Sequence, residues 1–175
     1  MFPSTNMPLL LKFIAMKTFI YFFLITLISL NFSCSEDDDD ETVLTKDGTF
    51  PISELAGTWD ATKAQFSVNT VSVDVVEDGG TARMIVQSNG RFTLTIDPTD
   101  RDSYTVSGEM FWEAWKQTFY FAIVWDDDPG DWDTYGHTYD GTTLSFNGGA
   151  DTGEYDFDND GDMEACSAHF IFDRS

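Results

Sequence analysis

The sequence predicts an all-β domain over residues 48–175, a meander of antiparallel strands closed into an up-and-down barrel. Three observations carry this. From Gly57 onward apolar and polar residues alternate with a period of two. Turn signals rich in Gly, Asn, Asp and Pro recur roughly every 8–15 residues, the spacing of short strands. No stretch after residue 57 carries a helical period. Sequential strands with short loops favour barrel closure, which leaves no sheet edge exposed. A β-sandwich is the alternative.

Taken in order, Pro51-Ile52-Ser53-Glu54-Leu55 predicts one helical turn and Gly57 opens the first long strand. Ala82, Met84 and Val86 share one face, as do Phe92, Leu94 and Ile96. Tyr104, Val106, Gly108, Met110 and Trp112 form a third such row, and Phe119, Phe121, Ile123 and Trp125 a fourth. Leu144 with Phe146, and Phe170 with Phe172, complete the pattern. Ser88-Asn89-Gly90 predicts a tight hairpin turn, and Asp78-Gly79-Gly80 another one strand earlier. Further turns are expected at 97–100, 126–131, 140–141 and 147–149. Alternation points Phe92, Met110, Trp112, Phe121 and Trp125 inward, making them candidate lining for a pocket that takes a small, partly apolar ligand. A slip of one residue would turn them outward.

Residues 1–33 read as an export signal. Met16-Lys17 begins a short basic region, and Thr18 to Phe32 is almost wholly apolar, short for a membrane-spanning helix. Met16 is the expected start; the alternative is a long leading region that includes residues 1–15. Leu30-Asn31-Phe32-Ser33-Cys34 resembles a lipoprotein signal box, in which a small residue precedes a Cys that is lipidated and becomes the N-terminus. Asn31 and Phe32 depart from the usual pattern. The resemblance implies an outer-membrane lipoprotein held by acyl chains on Cys34. Alternatives are an uncleaved anchor, or a Cys34–Cys166 disulfide in an oxidising compartment. With Cys34 lipidated, Cys166 has no partner and is expected as a small buried apolar residue.

Residues 34–47 read as a linker. The run Ser35-Glu36-Asp37-Asp38-Asp39-Asp40-Glu41 repels itself and stays extended. Directly behind a lipidated Cys, it is similar to the surface-export signal of some Gram-negative lipoproteins, which implies a cell-surface address. The alternative is a tether facing the periplasm.

Charge narrows the partners. All 31 acidic residues follow Ser33, whereas Lys12 and Lys17 of the nine basic residues precede it. The remainder carries 31 negative side chains against seven positive ones. Such a surface repels phosphate backbones and attracts divalent cations, so nucleic acid is excluded as a partner.

Glu54-Leu55-Ala56-Gly57-Thr58-Trp59 resembles the opening of lipocalin-like barrels, a short helical turn followed by Gly-x-Trp. The resemblance implies that the turn plugs one barrel end. It also implies that Trp59 packs beneath an Arg of the last strand, a role Arg174 can fill through cation–π contact. The acidic loops 126–133 and 151–164 depart from the family pattern.

Two loops carry candidate chemistry. In Asp156-Phe157-Asp158-Asn159-Asp160-Gly161-Asp162-Met163-Glu164, carboxylates at alternate positions and a Gly at the sixth match the first part of a calcium loop. Asp156, Asp158, Asp160, Asp162 and Glu164 are therefore candidate Ca²⁺ ligands. Ser167 stands where a closing bidentate Glu is expected, and the flanks read as strands. The other reading is a solvated acidic turn. Trp125-Asp126-Asp127-Asp128-Pro129-Gly130-Asp131-Trp132-Asp133 mixes acids with aromatic rings, suiting either sugar contact or packing back onto the core. Catalysis has no motif behind it. His137 and His169 lie far apart, with no nucleophile elbow or phosphate loop. The expected function is a surface-tethered barrel binding a small, partly apolar ligand, without enzymatic activity. The alternative is a calcium-stabilised adhesive or glycan-capturing module.

Overall fold

The computed structural model describes residues 42–175. The signal segment with Met16, the candidate lipidation site Cys34 and the acidic run to residue 41 lie outside the described residues. Eleven strands form in order: β1 Val43–Thr45, β2 Gly57–Val68, β3 Val71–Asp74, β4 Thr81–Val86, β5 Arg91–Asp97, β6 Tyr104–Trp115, β7 Thr118–Trp125, β8 Asp133–Tyr139, β9 Thr143–Gly148, β10 Gly153–Tyr155 and β11 Glu164–Arg174. A 3-10 turn, Ile52–Leu55, precedes β2.

Strands β2, β4, β5, β6, β7, β8, β9 and β11 pair in that order, and β11 pairs back onto β2. The result is a closed, eight-stranded antiparallel barrel rather than two stacked sheets. It is consistent with a lipocalin-like fold. Closure is extensive: the register runs from Ser167 opposite Ser67 to Arg174 opposite Trp59, with one bulge between Ile171 and Phe172.

The period of two explains the core. Ala82, Met84 and Val86 face inward on β4, and Phe92, Leu94 and Ile96 on β5, while Arg83, Ile85, Thr93 and Thr95 face out. Met110, Trp112, Phe121, Phe146, Phe170 and Phe172 fill the centre, each at most 3% exposed. Their rings meet edge-on, tilted or stacked: Trp112 and Phe121 lie 5.7 Å apart edge-on, Phe146 and Phe170 5.2 Å apart and tilted, and Phe170 stacks on Phe172 at 5.5 Å. Cys166 is buried among them, its thiol pushed up to about 11 by burial.

Three short strands were not legible in the sequence. β1 takes the edge of β6 beyond the reach of β5, with Leu44 opposite Glu113. The chain therefore joins the sheet upstream of the boundary expected at residue 48. β3 and β4 run in one direction along the same edge of β2, separated by the loop 75–80. The turn at Asp78-Gly79-Gly80 is thus not the hairpin expected from its composition. Val75 N bonds to Ala64 O and Gly80 N to Val75 O, so the chain bulges outward and resumes its line. β9 and β10 likewise follow one another along β11, so Asn147-Gly148-Gly149 interrupts a strand instead of reversing it. Ser88-Asn89-Gly90 does reverse the chain: Gly90 takes φ 88° and Asn89 Oδ1 accepts from Arg91 N at 3.0 Å.

Candidate functional site

The two ends of the barrel differ. One end is closed by the segment Val43–Leu55. Trp59 is fully buried and donates from Nε1 to Leu55 O at 2.8 Å. The Arg174 guanidinium lies 4.2 Å above its ring. Arg174 also donates to Ala56 O at 2.8 Å, Glu54 O at 2.7 Å and Gly141 O at 3.2 Å. It therefore ties the 3-10 turn to the β8–β9 turn and the last strand. Gly57 has φ 144°, and a Cβ there would sit 2.9 Å from Arg174 Nη1. Glycine permits both that backbone and that approach. Phe50 covers Trp112 at 5.0 Å and Tyr139 at 4.5 Å, and Trp112 Nε1 donates to Phe50 O. Gly48 lies against the indole, where a Cβ would come within 2.3 Å of Trp112 Cγ. Lys46 bonds Glu109 and Met110 O, both at 2.7 Å.

The opposite end opens into a cavity of about 760 Å³. Its floor is apolar and comes from strand faces: Phe66, Leu94, Ile96, Phe146, Ala168 and Phe170. Of the five residues expected to line a pocket, Trp125 does so. Phe92, Met110, Trp112 and Phe121 point inward but lie in the packed core outside the cavity lining. Trp125 is held in place: its Nε1 faces Asp133 Oδ2 at 3.2 Å and Tyr135 Oη at 3.3 Å, and its ring meets Phe92 edge-on at 5.5 Å. That ring is folded back onto the barrel rather than presented outward.

The cavity mouth is acidic. The β7–β8 loop contributes Asp126, Asp127, Asp128 and Asp131 and the start of β8 Asp133, while the β9–β10 loop adds Asp151 and β10 adds Glu154. Among the described residues only Asp126 of these seven has an ion pair, with Arg91 at 2.7 Å, and it also accepts from Ser107. Burial, together with Asp131, Asp128 and Asp151, raises the Asp133 carboxyl above its ordinary range. Tyr104, also in the lining, keeps a buried hydroxyl with no hydrogen-bond partner among the described residues.

The loop between β10 and β11 gathers Asp156, Asp158, Asp160 and Glu164, with one carboxylate oxygen of each within 4.8 Å of the others. Asp162 is not among them; its backbone N–H donates to Asp160 Oδ1. Asp156 accepts from Asp160 N and Gly161 N, and Glu164 accepts from Phe157 N at 2.8 Å. These bonds hold the acids together against their repulsion. The neighbouring Asp160 is the largest influence raising the Asp158 carboxyl. Arg101 bonds the Asp156 carbonyl, approaches its carboxylate at 3.8 Å and packs over Tyr155. Four hard, anionic donors in so small a space suit a divalent cation.

Comparison with family models, with curated proteins and with solved structures gave no match to this chain. Sequence reasoning placed Leu94, Ile96 and Phe170 on inward faces, but did not separate those beneath the open mouth from those in the core. Alternation specifies a face, not a height along the barrel.

Proposed function

We propose that the chain is a lipid-anchored binding module of the outer membrane, displayed at the cell surface, whose barrel holds a small, partly apolar ligand. The cavity at the open end carries this reading. An apolar floor set into a rigid, closed barrel, with polar groups confined to the mouth, is the usual arrangement of a small-molecule site. The proposed anchor is Cys34, with the acidic run behind it acting as the spacer and surface address. In this reading the module binds without catalysing a reaction. The resemblance to lipocalin-like lipoproteins supports it through Gly57, Trp59 and Arg174 at the closed end.

Titration of the full chain with the uncharged fluorophore 1-N-phenylnaphthylamine tests the site. A saturable fluorescence rise is expected, and Val106→Trp, which fills the cavity wall, should abolish it. No saturable rise, or a rise untouched by Val106→Trp, would contradict the proposal. Mass spectrometry of the mature N-terminus tests the anchor: a diacylated Cys34 supports it and an unmodified Cys34 overturns it.

A second reading concerns the β10–β11 loop. The four clustered carboxylates support a Ca²⁺ ion held by Asp156, Asp158, Asp160 and Glu164. Ca²⁺ takes six to eight oxygens, so carbonyls or water would complete the set. The ion would neutralise the loop and stiffen it. Its role is structural, and its test is thermal stability with and without calcium.

A further inference from the structure

We propose that the open cavity selects amphipathic organic cations: an apolar body on the barrel floor and an ammonium or guanidinium head at the rim. This deepens the binding reading and rests on it.

Among the described residues seven carboxylates and no Lys, Arg or His line the cavity. Among the described residues six of the seven form no ion pair, because Arg91 reaches only Asp126. They converge from two separate segments, the β7–β8 loop and the stretch around β10, onto one opening over an apolar floor. Low-dielectric walls focus such a field into the cleft. A ligand with a carboxylate or phosphate head would meet net repulsion from both segments, which disfavours free fatty acids despite the suitable floor. A cationic head would relieve the mutual repulsion that adds to burial in raising the Asp133 carboxyl.

Two further features suit a head of this kind. Trp125, Trp132 and Tyr135 stand in the same lining, and aromatic faces attract desolvated cations. The rim acids are also held in place rather than free: Asp131 Oδ1 accepts from Trp132 N at 2.8 Å, and Asp133 accepts from Trp125 Nε1.

The test compares octylammonium, 1-octanol and octanoate by calorimetry on the full chain, since the three share one apolar body and differ in head charge. Octylammonium should bind about tenfold more tightly than 1-octanol, the ratio that one favourable charge contact of ordinary strength supplies. Octanoate should bind more weakly than 1-octanol. Asp131→Asn with Asp133→Asn should shrink the cation preference about threefold or more, as expected when two nearby charges are removed. Asp47→Asn with Glu113→Gln, two acids at the closed end, should leave it unchanged. Equal binding of octylammonium and 1-octanol would overturn this proposal and leave the apolar site standing. A cation preference reduced equally by both pairs would overturn it too, since overall charge would then be the cause. Binding of none of the three would overturn both readings.

Discussion

The closed end pairs its charged and polar groups, whereas at the open end six of seven carboxylates have no ion pair among the described residues. At the closed end Arg174 serves three backbone carbonyls and the face of Trp59, and Lys46 meets both Glu109 and Met110 O. Both indole N–H groups there have carbonyl partners, from Trp59 to Leu55 and from Trp112 to Phe50. At the open end like charges face one another across a cavity, and the buried Tyr104 hydroxyl has no partner among the described residues. Unpaired polar groups and like charges destabilise a fold, so they persist where something other than stability maintains them. The barrel thus divides its labour: one end holds the fold together and the other is available to bind.

Substitutions test that division, the largest effects falling at the closed end. Trp59→Ala removes a fully buried indole and leaves Leu55 O without its donor; it should destabilise by about 3–5 kcal/mol in denaturant unfolding. Arg174→Met keeps the stem but frees three carbonyls, and should cost about 2 kcal/mol. If either variant unfolds no more easily than the parent, the closed end does not hold the fold.

Calcium is the next largest effect. At roughly ten to a hundred times its Kd it should add about 1–3 kcal/mol to stability, read as a rise in melting temperature. Asp156→Asn or Glu164→Gln should remove the rise. An unchanged melting temperature at millimolar calcium would leave the β10–β11 loop as a solvated turn.

Acidity should separate the two kinds of carboxyl. Asp133 and Asp158 have folded-state values raised, the first chiefly by burial and the second by Asp160. They favour protonation in the fold, so their unfavourable contribution shrinks as pH falls from neutral towards the ordinary carboxylate value of about 4. Asp140 and Asp126 are lowered, by the Thr143 and Thr142 amides and by Ser107 and Arg91 respectively. Their stabilisation is present above the ordinary value and is lost as pH falls below it. Melting temperature should therefore rise on mild acidification and drop steeply below about pH 4. A monotonic fall from pH 7 would contradict this. The smallest effect belongs to Asp131→Asn at the rim, which should shift stability by less than about 0.5 kcal/mol.

Much of this division could be read from the sequence, for physical reasons. The barrel follows from alternation, because burying one face of each strand forces Met84, Leu94, Phe121 and Phe172 inward. The pairing of Trp59 with Arg174 was expected from the resemblance and is present in the geometry. Strands of three or four residues, such as β1 and β3, lack enough periods to register. The composition of Asp78-Gly79-Gly80 signals a turn but not whether the strand resumes its course afterwards. In the calcium-like loop, spacing brought four of the five acids together, but not Asp162, whose carboxylate lies outside the cluster. The acidic mouth was legible only as two separate clusters. Their convergence depends on the β7–β8 loop meeting the segment before β10, a long-range contact that composition does not encode.

The division itself is tested most directly by residue-resolved NMR of the full chain titrated with 1-N-phenylnaphthylamine. The account predicts shifts at Leu94, Ile96, Val106 and Ala168, with Ile52, Leu55 and Met84 unmoved. Shifts confined to the closed end, or to exposed apolar residues such as Val43 and Phe119, would contradict it.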